Sequence, residues 1–145
     1  MIEMLLGHLT GDYLLQNEWM AMNKSKNTLN GWIAALVHCL LYTLAVCLFM
    51  WNFDLIWIAT VFASHFFIDK FGLAEYYMHY VKGKGMKDYV EKHEWEPLFP
   101  SSNLMQPKKI TSLIALEGGF TALIYAVTDN TMHLILMWGA YQLIY

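Results

Sequence analysis

His8 precedes Asp12 by four residues, and His65 precedes Asp69 by the same interval. Four residues is just over one helical turn, so each imidazole shares a helix face with its carboxylate. A third histidine, His38, stands alone in the apolar stretch between the pairs. Neutral imidazole and carboxylate bind zinc, manganese or iron(II) at ~2.0–2.2 Å. Two such groups one turn apart can reach one ion, as the paired histidines of the zinc-protease helix do. Bound metal also offsets the cost of burying carboxylates, because each anion gains a cationic partner. The set therefore predicts a divalent-metal site with His8, Asp12, His38, His65 and Asp69 as ligands. Zinc is the leading ion, with manganese and iron as alternatives. These five groups exceed one closed tetrahedral site, and they suit one metal with supporting carboxylates or a two-metal site. Gln16, one turn beyond Asp12, is placed to orient a ligand or a water.

The elements that must position these residues are membrane-length. The chain has 145 residues, 57% hydrophobic and 14% charged, against ~45–50% and ~25% in soluble domains. Composition and apolar runs predict an all-α integral membrane bundle forming one domain over 1–145. About five transmembrane helices are expected, near residues 2–20, 31–50, 55–70, 110–127 and 131–145. Tight turns are expected at Trp51–Asp54 and Thr128–Asn130, with a charged cytoplasmic loop over 71–109. The opening MIEMLLGHLTGDYLLQ has no basic stretch and no small-residue cleavage site, so it reads as a retained first span rather than a signal peptide. Cys39 and Cys47 lie eight residues apart on one predicted helix, ~12 Å of rise, too far for a disulfide. They read as buried thiols.

Charge gives the topology. All nine basic residues are lysines, and all lie in the 17–30 and 70–109 segments, which five spans put on one side. The other side receives Glu3, Asp54 and Asp129. The excess of lysine places the N-terminus outside and the C-terminus in the cytoplasm. Absence of arginine argues against nucleic-acid readout, where bidentate arginine is the commonest specific contact.

Depth then groups the polar residues. Counted from the cytoplasmic end of each span, His8, Asp12, His38, His65, Asp69 and Glu117 fall within ~15 Å of that surface. Each ionisable group inside a bilayer costs roughly 2.5–3.5 kcal/mol on insertion scales. Keeping several at one depth points to a polar chamber open to the cytoplasm. Asp12, Asp69 and Glu117 are its candidate catalytic carboxylates. The same groups would also serve as hydrogen-bond glue between helices or as a proton or ion relay. Glu117 precedes Gly118 and Gly119, which also suit close helix packing, and His133 reads as structural. The segment Glu75–Glu96 mixes aromatics with charge, as an interfacial segment does. The alternative is a lid carrying His79, His93 or Glu94, hinged at Gly83 and Gly85.

The segment GHLTGDYLLQNEWMAMNKSK resembles the opening signature of the family called domain of unknown function 3307. The matching residues are His8, Asp12, Tyr13, Gln16, Met20 and Lys24. LVHCLLY around His38 and SHFFIDK around His65, Asp69 and Lys70 also resemble the family, so the likeness covers about the first seventy residues. Cellular members often carry an Asp-Gln pair and a further histidine in a later span, where this chain offers Glu117 with Gly118. The resemblance implies a small multi-span protein of bacteria or their phages, and a short arginine-free chain is compatible with a phage-encoded one. The family has no established activity, so the resemblance supports the constellation and not a reaction.

Two function classes stay open. One is a metal-dependent hydrolase of the inner membrane, in a bacterium or a phage-infected host, acting on a lipid or lipid-like substrate. Metal-activated water would be its nucleophile. The other is a non-catalytic scaffold, ion pathway or phage-encoded envelope factor. Either implies membrane lipids as partners, a homo-oligomer as an open option, and no nucleic acid.

Overall fold

The computed structural model describes residues 1–83, 85–92, 95–97, 105–107 and 112–145. The helices in chain order are α1 (Ile2–Leu9), α2 (Glu18–Asn23), α3 (Leu29–Met50), α4 (Leu55–Phe71), α5 (Leu73–Lys82), α6 (Met86–Lys92) and α7 (Ser112–Ile144). A π-helical turn, Thr10–Leu14, continues α1. One antiparallel pair, β1 (Trp95–Pro97) and β2 (Met105–Pro107), aligns Trp95 with Pro107, and the described residues are otherwise all-α. The chain divides into two compact units, Met1–Leu73 with Asn130–Tyr145, and Ala74–Asp129.

Local chemistry sets the helix limits in the first unit. Thr28 caps α3, its side chain accepting from Gly31 N–H, and Asp54 caps α4 by accepting from Ile56 and Trp57 N–H. Both are oxygen side chains that satisfy donors left over at a helix start. Trp51, in the left-handed region at φ 49, ends α3, and Gly72 at φ 61 ends α4. Met4, Tyr42, Val46, Cys47, Trp57, Val61 and Met137 form the core where α1, α3, α4 and the end of α7 meet. Cys39 and Cys47 are both buried free thiols. The approach of α1 to α3 depends on Gly7, where a Cβ would lie 2.8 Å from Val46 Cα.

In the second unit, α5 and α6 are separated at Gly83, whose φ of 64 favours glycine. Asp88 accepts from Gly85 N–H, and His79 Nδ1 lies 2.7 Å from its carboxylate. The His79 contact, followed by the Gly85 bond, holds the Asp88 carboxyl below the usual carboxylate range. Tyr89 donates to Ile114 C=O at 2.8 Å. His93 and Glu94 lie outside the described residues.

The second and third expected spans coincide with α3 and α4, and the turn at Trp51–Asp54 is present. Other expectations require correction. Among the described residues one helix, Leu29–Met50, is long and apolar enough to cross a membrane, and a second is gained only by counting Leu55–Phe71 and Leu73–Lys82 as one interrupted span. Five transmembrane helices are not shown. The first expected span is divided, because extended Asn17 caps α2 by accepting from Met20 N–H. No turn forms at Thr128–Asn130, which lies inside the uninterrupted α7. Turn-forming side chains act by bonding nearby backbone. Here Asn130 is drawn instead to His8 and Tyr13, and Thr128 accepts from Lys82. The segment expected as a loop over 71–109 contains α5, α6 and both strands.

Gly7→Ala should destabilise the protein by about 1–2 kcal/mol, the helix-propensity gain of ~1 kcal/mol being outweighed by backbone displacement against Val46. Thermal unfolding in detergent reads this, and an unchanged or raised Tm would contradict the close approach.

Candidate metal centre

The polar residues of the first unit converge. The helical spacing that puts Asp69 one turn beyond His65 on α4 brings both inward, where His38 meets them from α3. His8, His38 and His65 are wholly buried, and Asp69 and His133 nearly so. His38 Nε2 and His65 Nε2 are 2.9 Å apart. Asp12 Oδ1 lies 3.4 Å from each of these nitrogens. Asp69 Oδ2 is 3.0 Å from His38 Nε2 and 3.3 Å from His65 Nε2.

These spacings can be compared with what an ion needs. A tetrahedral zinc bound at ~2.0–2.1 Å holds its ligand atoms ~3.3–3.4 Å apart. The triangle of Asp12 Oδ1, His38 Nε2 and His65 Nε2 has edges of that order, its nitrogen–nitrogen edge somewhat shorter. Asp12 Oδ1 is buried and has no hydrogen-bond partner among the described residues. A buried carboxylate oxygen left unmatched is unusual, because its desolvation goes uncompensated. A cation equidistant from the two imidazoles would supply the match. Asp12, His38 and His65 could hold a metal ion, and so could His65, Asp69 and His133.

Asp69 carries the rest of the network. Lys24 donates to its Oδ2, and His133 Nε2 lies 3.3 Å from its Oδ1. His133 Nδ1 is also 3.1 Å from His65 Nδ1. Lys70, next in sequence to Asp69, is buried and donates to the carbonyls of Lys24 and Lys26, at 3.3 and 2.7 Å. Its ammonium lies 4.2 Å from the Trp32 ring centroid, a cation–π distance. Lys70 thus fixes the segment from which Lys24 reaches Asp69.

The structure therefore brings together Asp12, His38, His65 and Asp69 from the expected set. His8 joins them through Asp12, whose Oδ2 lies 3.4 Å from its Nδ1. Its Nε2 faces Asn130 Oδ1 at 2.6 Å and its Nδ1 faces Tyr42 hydroxyl at 2.9 Å, so both nitrogens have protein partners. Gln16 Oε1 is buried without a hydrogen-bond partner among the described residues. Glu117, in the second unit, accepts from Lys92 at 2.8 Å and is in none of the ligand groupings. His79 belongs to that unit as well.

Four participants were not expected from the sequence. They are Lys24, Tyr42, Asn130 and His133. Tyr42 follows His38 by four residues and stacks on His65 with ring centroids 3.5 Å apart. His133 follows Asn130 by three, a spacing that shares a helix face once no turn intervenes. The Tyr42 spacing is a legible signal and the His133 spacing is hidden by the apparent turn at Thr128–Asn130, whereas the Lys24–Asp69 pair joins residues far apart in sequence.

A helical protein with histidines and aspartates clustered inside its first unit, and an ammonium set on one carboxylate, is the class these features define. The chain matches the family described as "Protein of unknown function (DUF3307)" over residues 1–145, and it belongs to that family. The likeness visible in the first seventy residues thus extends through the C-terminal half. No curated protein and no solved structure matches the chain.

Lys70→Met should release the Lys24–Lys26 carbonyls and cost about 1–3 kcal/mol of stability. Amide exchange in residues 20–31 should quicken while the centre of α3 stays protected. Unchanged exchange in that segment would show that Lys70 does not hold it.

Proposed function

We propose that this chain is an integral membrane protein holding a divalent ion, zinc by ligand preference, on Asp12, His38 and His65. We further propose that it is a hydrolase acting on a lipid or lipid-like substrate from the cytoplasmic leaflet of a bacterial or phage-infected host inner membrane. The observation that carries the metal reading is the convergence of buried Asp12 Oδ1, which makes no hydrogen bond among the described residues, on both imidazole nitrogens at 3.4 Å.

The membrane reading draws on an inversion of polarity. Leu36, Leu40, Leu44 and Leu48 recur every four residues along α3 and are all exposed, while His38 and Tyr42 on the same helix are buried. Water penalises a continuous apolar stripe of that kind, and lipid does not. Lysine placement supports a cytoplasmic position for the 17–30 and 70–109 segments.

In this reading Asp12, His38 and His65 would hold the ion, which would supply Lewis acidity when bound. Asp69 is the neighbouring carboxylate that orients His38 and His65, and His8 positions Tyr42 against His65. Glu117 has no part in the reaction.

Protein purified in detergent should contain close to one zinc, manganese or iron per chain. His38→Ala/His65→Ala should lose it, and His8→Gln should keep it. Asp12→Asn should weaken binding beyond the ~10–100-fold typical of outer-sphere changes, and Asp69→Asn should stay within that range. A well-folded protein without metal, and without metal-dependent stabilisation, would leave the non-catalytic scaffold as the reading. Separately, the chain should remain in the membrane fraction after alkaline carbonate washing. Release into the supernatant would refute the membrane placement.

A further inference from the structure

His133 is the buried titratable side chain that the metal reading leaves unused. Its two ring nitrogens face different partners. Nδ1 lies 3.1 Å from His65 Nδ1, and Nε2 lies 3.3 Å from Asp69 Oδ1. His38 differs, because its Nδ1 is buried with no hydrogen-bond partner among the described residues.

We infer that His133 is a positioning residue that holds His65 in the tautomer offering Nε2 to the ion, by accepting from His65 Nδ1–H and donating to Asp69. This rests on the metal reading above and assigns how one ligand of that site is preset. A neutral imidazole carries one N–H and one lone pair, whereas a carboxylate only accepts. The contact with Asp69 Oδ1 therefore requires the His133 proton on Nε2. The Lys24 ammonium, on the other oxygen, matches the charge of that carboxylate. His133 Nδ1 is then bare and accepts, so the His65 proton sits on Nδ1. His65 Nε2 is left as a lone pair, 3.4 Å from Asp12 Oδ1 and 2.9 Å from His38 Nε2. That is the form a metal ligand must take. Donation thus runs from His65 through His133 to an anion, the carboxylate–histidine–metal pattern lengthened by one ring.

The other proton arrangements fit less well. With the order reversed, a bare His133 Nε2 would turn its lone pair on a carboxylate oxygen. With both nitrogens protonated, an imidazolium would lie against the ring that binds a cation, the centroids 4.2 Å apart, and like charges that close in a dry interior repel strongly. The inferred tautomer also suits His65 before metal binds. The 2.9 Å between His38 Nε2 and His65 Nε2 holds one proton, which His38 donates when His65 Nε2 is bare. Ligation then requires only the His38 proton to move, to an Nδ1 that has no hydrogen-bond partner among the described residues.

Protein isotope-labelled at the histidine ring nitrogens is studied in detergent by long-range proton–nitrogen spectra, with and without zinc, and assigned through single-histidine variants. In both states His65 should carry its proton on Nδ1 and His133 on Nε2. Cobalt(II) titration reads affinity in parallel. H133F should bind one ion per chain with the parent's visible bands, weakened by the ~10–100-fold typical of outer-sphere partners. H133Q, whose amide both accepts and donates, should recover most of that loss. A His133 proton on Nδ1 or on both nitrogens would overturn the inference and leave the metal reading intact. So would an H133F affinity equal to the parent's, or an H133Q loss as large as that of H133F. Two ions per parent chain, falling to one in H133F, would make His133 a ligand and overturn the positioning role. If H133F proves unfolded, the tautomers of the parent decide alone. A parent without cobalt bands would overturn the metal reading as well, and is separately recognisable.

Discussion

A carboxylate almost out of contact with water, Asp69, is the point from which the first unit is organised. An isolated buried carboxylate is costly enough that a protein ordinarily protonates it or surrounds it with donors and cations. Here the surroundings come from four places in the chain. Lys24 arrives from the segment after α2, His38 from α3, His65 from the preceding turn of α4, and His133 from α7. Each of those side chains is constrained by the same anion, so the helices that bear them are fixed relative to it. Removing the carboxylate would leave Lys24 and His133 without this acceptor and His38 and His65 with Asp12 alone.

That arrangement makes one part of the unit's interior polar, while Leu36, Leu40, Leu44 and Leu48 of α3 are exposed. The histidines and Asp69 take the space that leucines would fill in a water-soluble helical protein, and the leucines of α3 face outward. Only the remaining core, around Trp57, Tyr42 and Met137, packs in the ordinary way. Close approach compensates for the bulk of the rings. Gly7 admits Val46, and at Gly11 a Cβ would lie 2.6 Å from the Tyr42 ring, so the π-helical turn can lie against it. The same turn carries Asp12, whose carboxylate would face elsewhere had α1 continued with regular geometry.

Much of this is legible in the residues themselves. The His65–Asp69 interval and the isolated His38 identify a shared interior face, because helical spacing is a local property. Asp12 is legible for the same reason, although its approach to His38 also needs the π-turn. His133 is not, because an apparent turn at Thr128–Asn130 separates it from the preceding helix in a reading based on local turn preferences. Those preferences lose to tertiary partners, since Asn130 spends its amide on Tyr13 and His8. Lys24 is equally hidden. A lysine in a polar segment reads as a surface charge until Lys70, from a distant helix, folds that segment inward. The number of membrane crossings is the least legible feature, because apolar composition records what a segment tolerates and not how it is interrupted.

His8 shows most clearly how identity differs from role. It has the spacing of a ligand, and its two ring nitrogens face Asn130, Tyr42 and Asp12. Asn130 donates from Nδ2 to Tyr13, which leaves Oδ1 as the acceptor facing His8 Nε2 at 2.6 Å. The proton of a neutral His8 then belongs on Nε2, and its Nδ1 faces the Tyr42 hydroxyl at 2.9 Å. Tyr42 in turn lies flat on His65, with ring planes 13° apart. A contact that begins on α7 therefore passes through α1 and α3 and ends on the orientation of an imidazole in α4. A histidine is suited to this because its two nitrogens donate and accept on opposite sides of one rigid ring. An alanine at position 8 would leave Tyr42 without that partner, and His65 would rest on a less constrained ring.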